Sequence, residues 1–151
     1  MSMSVEVTGP LVKPGALRKL GQDIEAKLQD EAARAAIETA NNARTSVSKP
    51  GQGQVYEKYI PRRTHRASAP GQPPATDTGR LIASIQTAKA GTGWIVGSRV
   101  RYSLFLEFGT RTMSERPFFR PALKKAVATW RKRVENLVGG KNVRLGDALD
   151  D

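Results

Sequence analysis

Apolar side chains recur at steps of three and four in the first third of the chain, at Leu17, Leu20, Ile24, Leu28, Ala32, Ala35 and Ala36. That spacing lays one stripe along a helix. It predicts a helix from about Gly15 to Val47, with Pro14 near the first turn, where a missing N–H is tolerated, and Ser48-Lys49-Pro50-Gly51 as the stop. At about 1.5 Å per residue such a helix is a rod of roughly 45 Å. A small core cannot cover that length, so the rod either packs only partly on its own sheet or also meets another subunit. Ala32-Ala33-Arg34-Ala35-Ala36 would let a second helix approach closely. A second stripe, Leu123, Val127, Trp130, Val134 and Leu137, predicts a C-terminal helix ended by Gly139-Gly140, with Lys124, Lys125, Arg131, Lys132 and Arg133 mostly off the stripe.

Between the helices the period changes. Ile85 to Lys89, the glycine-bearing turn Ala90-Gly91-Thr92-Gly93 and the β-prone triplet Trp94-Ile95-Val96 read as a hairpin. Just upstream, Asp77 or Thr78 offers a side-chain oxygen to cap a short helical turn at Gly79-Arg80-Leu81. Tyr102 to Phe108 fits a helix with Tyr102, Phe105 and Leu106 on one face and Gly109 as a left-handed stop, and equally a third strand. Gln52 to Asp77 shows no sustained period and holds Gly53, Pro61, Pro70, Gly71, Pro73 and Pro74. We read residues 48–77 as a long loop or extended arm, either disordered or docked on a neighbour through Tyr56, Tyr59 and Ile60. Arg116-Pro117-Phe118-Phe119-Arg120-Pro121 is a stiff aromatic elbow, because each proline restricts its own φ and the residue before it. The expected fold is α+β: the N-terminal and C-terminal helices packed on a small, mostly antiparallel sheet. The domain spans residues 15–138, with residues 1–14 as an extension and residues 139–151 as a flexible acidic tail.

Composition narrows the chemistry. The chain has 151 residues, no Cys and one His, so a disulfide framework, a thiol nucleophile, a cysteine zinc site and a multi-histidine metal cage are excluded, and no cofactor is expected. Gly139-Gly140-Lys141-Asn142 lacks the hydroxyl of a phosphate loop, and no G-x-S-x-G elbow occurs. His65, in a basic proline-rich loop, reads as solvated. Of the central acids Asp77, Glu107 and Glu115, Glu107 lies in an aromatic segment, where Arg99, Arg101, Arg111 or Arg116 would satisfy it, within the chain or across an interface. No apolar run reaches the roughly 18 residues of a membrane span, and the N-terminus lacks signal-peptide regions, so a cytosolic protein without a membrane partner is expected. The formal charge is +11, and Arg99 to Arg133 carries ten basic against two acidic residues. Such an excess suits a polyanion or an acidic protein face. Basic residues interleaved with aromatics, including Lys58, Arg62, Arg63 and Arg66 in the arm, also fit nucleic-acid binding through the arm and the last helix.

The run Tyr102-Ser103-Leu104-Phe105-Leu106-Glu107-Phe108-Gly109-Thr110-Arg111, then Met113, then Arg116-Pro117-Phe118-Phe119-Arg120-Pro121-Ala122-Leu123, resembles the signature of the tailed-phage minor tail component family, small neck proteins of the head–tail junction. Pro74 to Ile85 is similar to that family's threonine-glycine-leucine-serine-isoleucine segment, and a long helix precedes it in both. The likeness covers roughly residues 17–138. Ser114 stands where relatives often have proline, and the long basic arm is a departure, so no partner of the arm carries over. The resemblance implies a noncatalytic virion component, an α+β subunit forming a homo-oligomeric ring in the neck, tail-completion or tail-terminator layer, made in the host cytoplasm. Its implied partners are its own copies, neighbouring head-completion, tail-terminator or tail-tube proteins, and packaged DNA in a channel or the acidic rim of an adjoining ring. A ring needs one patch fitting a different patch on the next copy. Tyr102, Glu107, Phe108, Gly109, Thr110, Arg111 and the elbow Arg116, Pro117, Phe118, Phe119 and Arg120 are the candidate interface, with anchoring of the last helix as the alternative role for Phe118 or Phe119.

Overall fold

The structure, a computed structural model, describes residues 15–59 and 62–146. Its elements run α1 (Ala16–Ser48), β1 (Val55–Tyr59), β2 (Arg62–Arg66), α2 (Arg80–Ser84), β3 (Ile85–Ala90), β4 (Gly93–Ser98), α3 (Tyr102–Phe108) and α4 (Phe119–Gly146). The fold is α+β, with long N- and C-terminal helices and only antiparallel strand pairs. The calls on residues 1–14 and 147–151 lie outside the described residues.

The layering differs from two helices laid on one sheet. The strands form two separate hairpins, β1–β2 and β3–β4. The central element is α1, which packs along α4 and against β3–β4. Small residues set this arrangement. Ala36, Ala40, Ala43 and Val47 of α1 are buried at steps of four, three and four, and Ala122 and Ala126 of α4 are buried as well. Two alanine-lined helix faces approach closely, and Val47, Leu81, Ile85 and Phe118 fill the end of the core where α4 begins. The buried stretch of α1 therefore lies further along the helix than the stripe from Leu17 to Ala36, of which Leu20, Ile24 and Leu28 are only half-buried. On α4 the stripe Val127, Trp130, Val134 and Leu137 flanks the contact and Leu123 is exposed, because the alanines let the backbones close in and push larger side chains to the margins.

Ion pairs reinforce the helix contact. Arg133 of α4 places Nε 2.5 Å from Glu31 Oε2 and Nη1 2.7 Å from Glu38 Oε1, and Glu31 is buried. A buried carboxylate is tolerated where a guanidinium meets it directly. α4 continues to Gly146 instead of ending at Gly139-Gly140. Each interior glycine costs a helix about 1 kcal/mol, and Lys141 to Leu145 bring no proline to break it.

β3–β4 forms as the sequence predicts, pairing Ile85 with Ser98 through to Ala90 with Gly93 around a turn at Gly91, φ 59°. The short helical turn α2 also forms, although Gly79 precedes it at φ 76° with no side-chain cap. Asp77 is engaged elsewhere. Tyr102 to Phe108 is a helix and not a third strand.

The largest departure is the arm. Val55–Tyr59 and Arg62–Arg66 pair in antiparallel register, Val55 with Arg66 and Tyr59 with Arg62. The ribbon's base is clamped by Gly53 N–H donating to Ala67 O at 2.7 Å and Ala67 N–H donating to Gln54 O at 2.9 Å. A Cβ on Gly51 would sit 2.2 Å from Ala67 O, so only glycine permits that approach. Residues 67–79 then run back over the body, with Gly71 N–H on Glu115 O and Thr76 N–H on Val47 O.

Candidate assembly surface

Gly109 gives the candidate surface its shape. It ends α3 at φ 74°, ψ −177°, a conformation open to glycine and distinct from the left-handed helical stop expected there. Beyond it the chain folds back: Thr110 N–H donates to Met113 O at 2.8 Å, and Arg116 N–H to Leu106 O at 2.7 Å, satisfying a free carbonyl at the end of α3. This return brings the start of α4 onto the Glu107 side chain.

Glu107 is buried, and its carboxylate accepts the backbone N–H groups of Phe118 (2.8 Å), Phe119 (2.9 Å) and Arg120 (2.9 Å). These donors would otherwise be unpaired at the N-terminus of α4, where the helix dipole also favours negative charge. Its ionic partner is Arg120, whose Nε lies 3.2 Å from Oε1, and none of Arg99, Arg101, Arg111 or Arg116. Those four are nearer or comparably near in sequence, but only the fold-back decides which guanidinium arrives. Burial pushes the Glu107 carboxyl up, but the three amide donors and Arg120 outweigh it and hold the group below the usual carboxylate range. Arg120 also donates to Glu107 O and to Glu115 Oε2, and its guanidinium stands 5.3 Å from the Phe108 ring centroid.

The candidate residues thus divide. Phe118 is fully buried, so it anchors α4 in the core and is not a surface contact. Glu107 is likewise interior. Phe119 is half-buried with its ring 4.4 Å from that of Phe118. Arg116 is turned inward, its Nη1 donating to Ser68 O and Oγ at 2.7 and 2.5 Å. Thr110 and Arg111 are exposed on the fold-back loop, Pro117 is half-buried, and Tyr102 is exposed at the start of α3.

Phe108 is 62% exposed and stands over an open apolar groove of about 420 Å³, whose walls include Trp94, Val96, Leu104, Phe119 and Leu123. Leu104 and Leu123 are more than half exposed. Trp94, Leu104 and Leu123 were not singled out from the sequence as surface residues. Their signal was there in Leu104 and Leu123, large apolar residues one turn from the Glu107 and Arg120 positions that the fold-back joins.

On the other side of α3, the arm's cations gather around Asp77. Lys58 Nζ donates to its carboxylate, Arg63 Nη2 lies 2.6 Å from Oδ1, and His65 Nδ1 lies 3.9 Å away, so His65 is packed beside a carboxylate and not simply solvated. The hydrogen bond from Lys58 lowers the Asp77 pKa below its ordinary value despite desolvation, helped by the charge of Arg63. Of the four arm cations, Arg62 and Arg66 remain outward. No helix of the described residues is long and apolar enough to cross a membrane. No family model, curated protein or solved structure matches the chain.

Proposed function

We propose that the chain is a noncatalytic structural subunit of a tailed-phage or prophage particle, assembling as a ring at the head–tail junction with its own copies and with neighbouring head-completion, tail-terminator or tail-tube proteins. The observation that carries this reading is the convergence of the two strings behind the resemblance, residues 102–111 and 116–123, into one unit closed by Glu107 on the N–H groups of Phe118, Phe119 and Arg120. Within that unit the buried members hold the fold, and Leu104, Phe105, Phe108 and Leu123 remain as large exposed apolar groups. A rigid platform bearing such groups binds with little loss of conformational entropy. Mass photometry and electron microscopy of the purified chain, alone and with neck and tail proteins, should find a closed ring. A monomer under all of these conditions overturns the reading.

Nucleic-acid binding is a second reading, favoured by one observation. Lys124, Lys125, Arg131 and Lys132 are exposed on α4, on the side away from Ala122 and Ala126, and no ion pair involves them among the described residues. Charge reversal there should weaken duplex DNA binding steeply with salt. The arm contributes less to this reading, because Lys58 and Arg63 are held by Asp77.

A further inference from the structure

The geometry points to the β1–β2 hairpin of one copy docking into the groove beside Phe108 of the next, an inference that rests on the ring reading and names its contact. The hairpin has two faces. Tyr56, Lys58, Arg63 and His65 share the face turned to Asp77, and Val55, Glu57, Tyr59, Arg62, Thr64 and Arg66 share the other by the strand register. All six residues of the outer face are exposed, Tyr59 at 75%. A two-stranded ribbon is marginally stable in water by itself, and a bare aromatic on it calls for a cover.

The hairpin's own groove cannot supply that cover. α3 stands between them: Tyr102 and Leu106 line the cavity that holds His65 and Asp77, and Leu104 and Phe108 line the groove on the opposite side. The pairs of Lys58 and Arg63 with Asp77 tie the hairpin to its side of α3. The two surfaces therefore meet only between copies. Their charges are complementary, with Arg62 and Arg66 against Glu57 on the ribbon face, and Glu107 and Glu115 against Arg120 at the groove. A contact between two different patches repeats head to tail and closes a ring when the rotation between copies divides the circle.

The chain lacks cysteine, which makes the test direct. Thr64→Cys lies on the ribbon's outer face and Ser103→Cys on the groove wall, both near-isosteric. Oligomer assembled from an equal mixture of the two single variants and treated with a short bismaleimide should give a covalent dimer, and each variant alone should give none. Tyr59→Ser should raise the concentration for half-assembly about tenfold or more, with the circular dichroism spectrum unchanged. Assembled oligomer without the mixed product overturns the docking and leaves the ring reading standing, since the groove then belongs to another occupant. A product from either variant alone means a symmetric contact and also overturns it. Absence of any oligomer, with or without neck and tail proteins, removes both.

Discussion

A carboxylate taken out of water needs full compensation, and at Glu107 it comes from three amide donors and one guanidinium. Glu107→Gln keeps the shape but turns an NH₂ group toward some of these donors. We expect a loss of about 1–3 kcal/mol in urea unfolding at neutral pH. The pH dependence identifies the cause. Because the folded-state pKa of Glu107 lies below its ordinary value, the unfolded chain binds more protons in acid. The stability from this group is present above the ordinary carboxylate pKa and is lost as pH falls through the lowered folded value. The wild-type protein should therefore lose more stability than Glu107→Gln on acidification below about pH 4.5. Equal losses would show that the carboxylate's charge is not what holds the start of α4. Glu107 stood out from the sequence as an acid within an aromatic segment, but its partner did not. Arg120 lies thirteen residues on, and the positive-φ turn at Gly109 that delivers it involves contacts invisible in residue spacing.

At the scale of elements, legibility followed the amount of one-sided burial. Both long helices and the β3–β4 hairpin could be read because part of each faces the core and leaves a period. β1 and β2 could not, because each strand has only one residue even half-buried and so carries no alternation. The alanines at positions 40, 43, 122 and 126 were overlooked for a related reason: small residues weigh little in a search for apolar stripes, although they set how closely α1 and α4 approach. What holds the ribbon is its base, where Gly51 and Gly53 lie against the Ala67 and Ser68 carbonyls. Gly51→Ala should force that base open. Lys58, Arg62, Arg63 and Arg66 make the ribbon a natural trypsin substrate, so cleavage between residues 54 and 67 should speed up on the order of tenfold, with the thermal midpoint of the body almost unmoved. Unchanged cleavage would mean that the base is not what holds the ribbon closed.

For the whole molecule, the question is how a charge of +11 is used. Any protein so basic binds duplex DNA at low salt through released counterions, so binding alone does not separate a scaffold from a nucleic-acid reader. The location of the contacts does. Asp77 engages two of the arm's cations, whereas α4 presents Lys124, Lys125, Arg131 and Lys132 together. Lys124→Glu with Lys132→Glu should lower the slope of log affinity against log salt by about 1 for each phosphate contact removed. Arg62→Glu with Arg66→Glu should leave that slope nearly unchanged and instead weaken self-assembly, because these two arginines lie on the ribbon face with Tyr59. The opposite outcome, DNA binding lost with the arginines and assembly lost with the lysines, would exchange the two roles. In a ring built by the ribbon contact, the α4 lysines stay free of the subunit interface and can face either DNA in the channel or an acidic neighbouring layer. Measuring the DNA slope on the assembled oligomer decides between these. A steeper dependence than the monomer's means that the lysines line a common path, and loss of binding on assembly means that they face away from it.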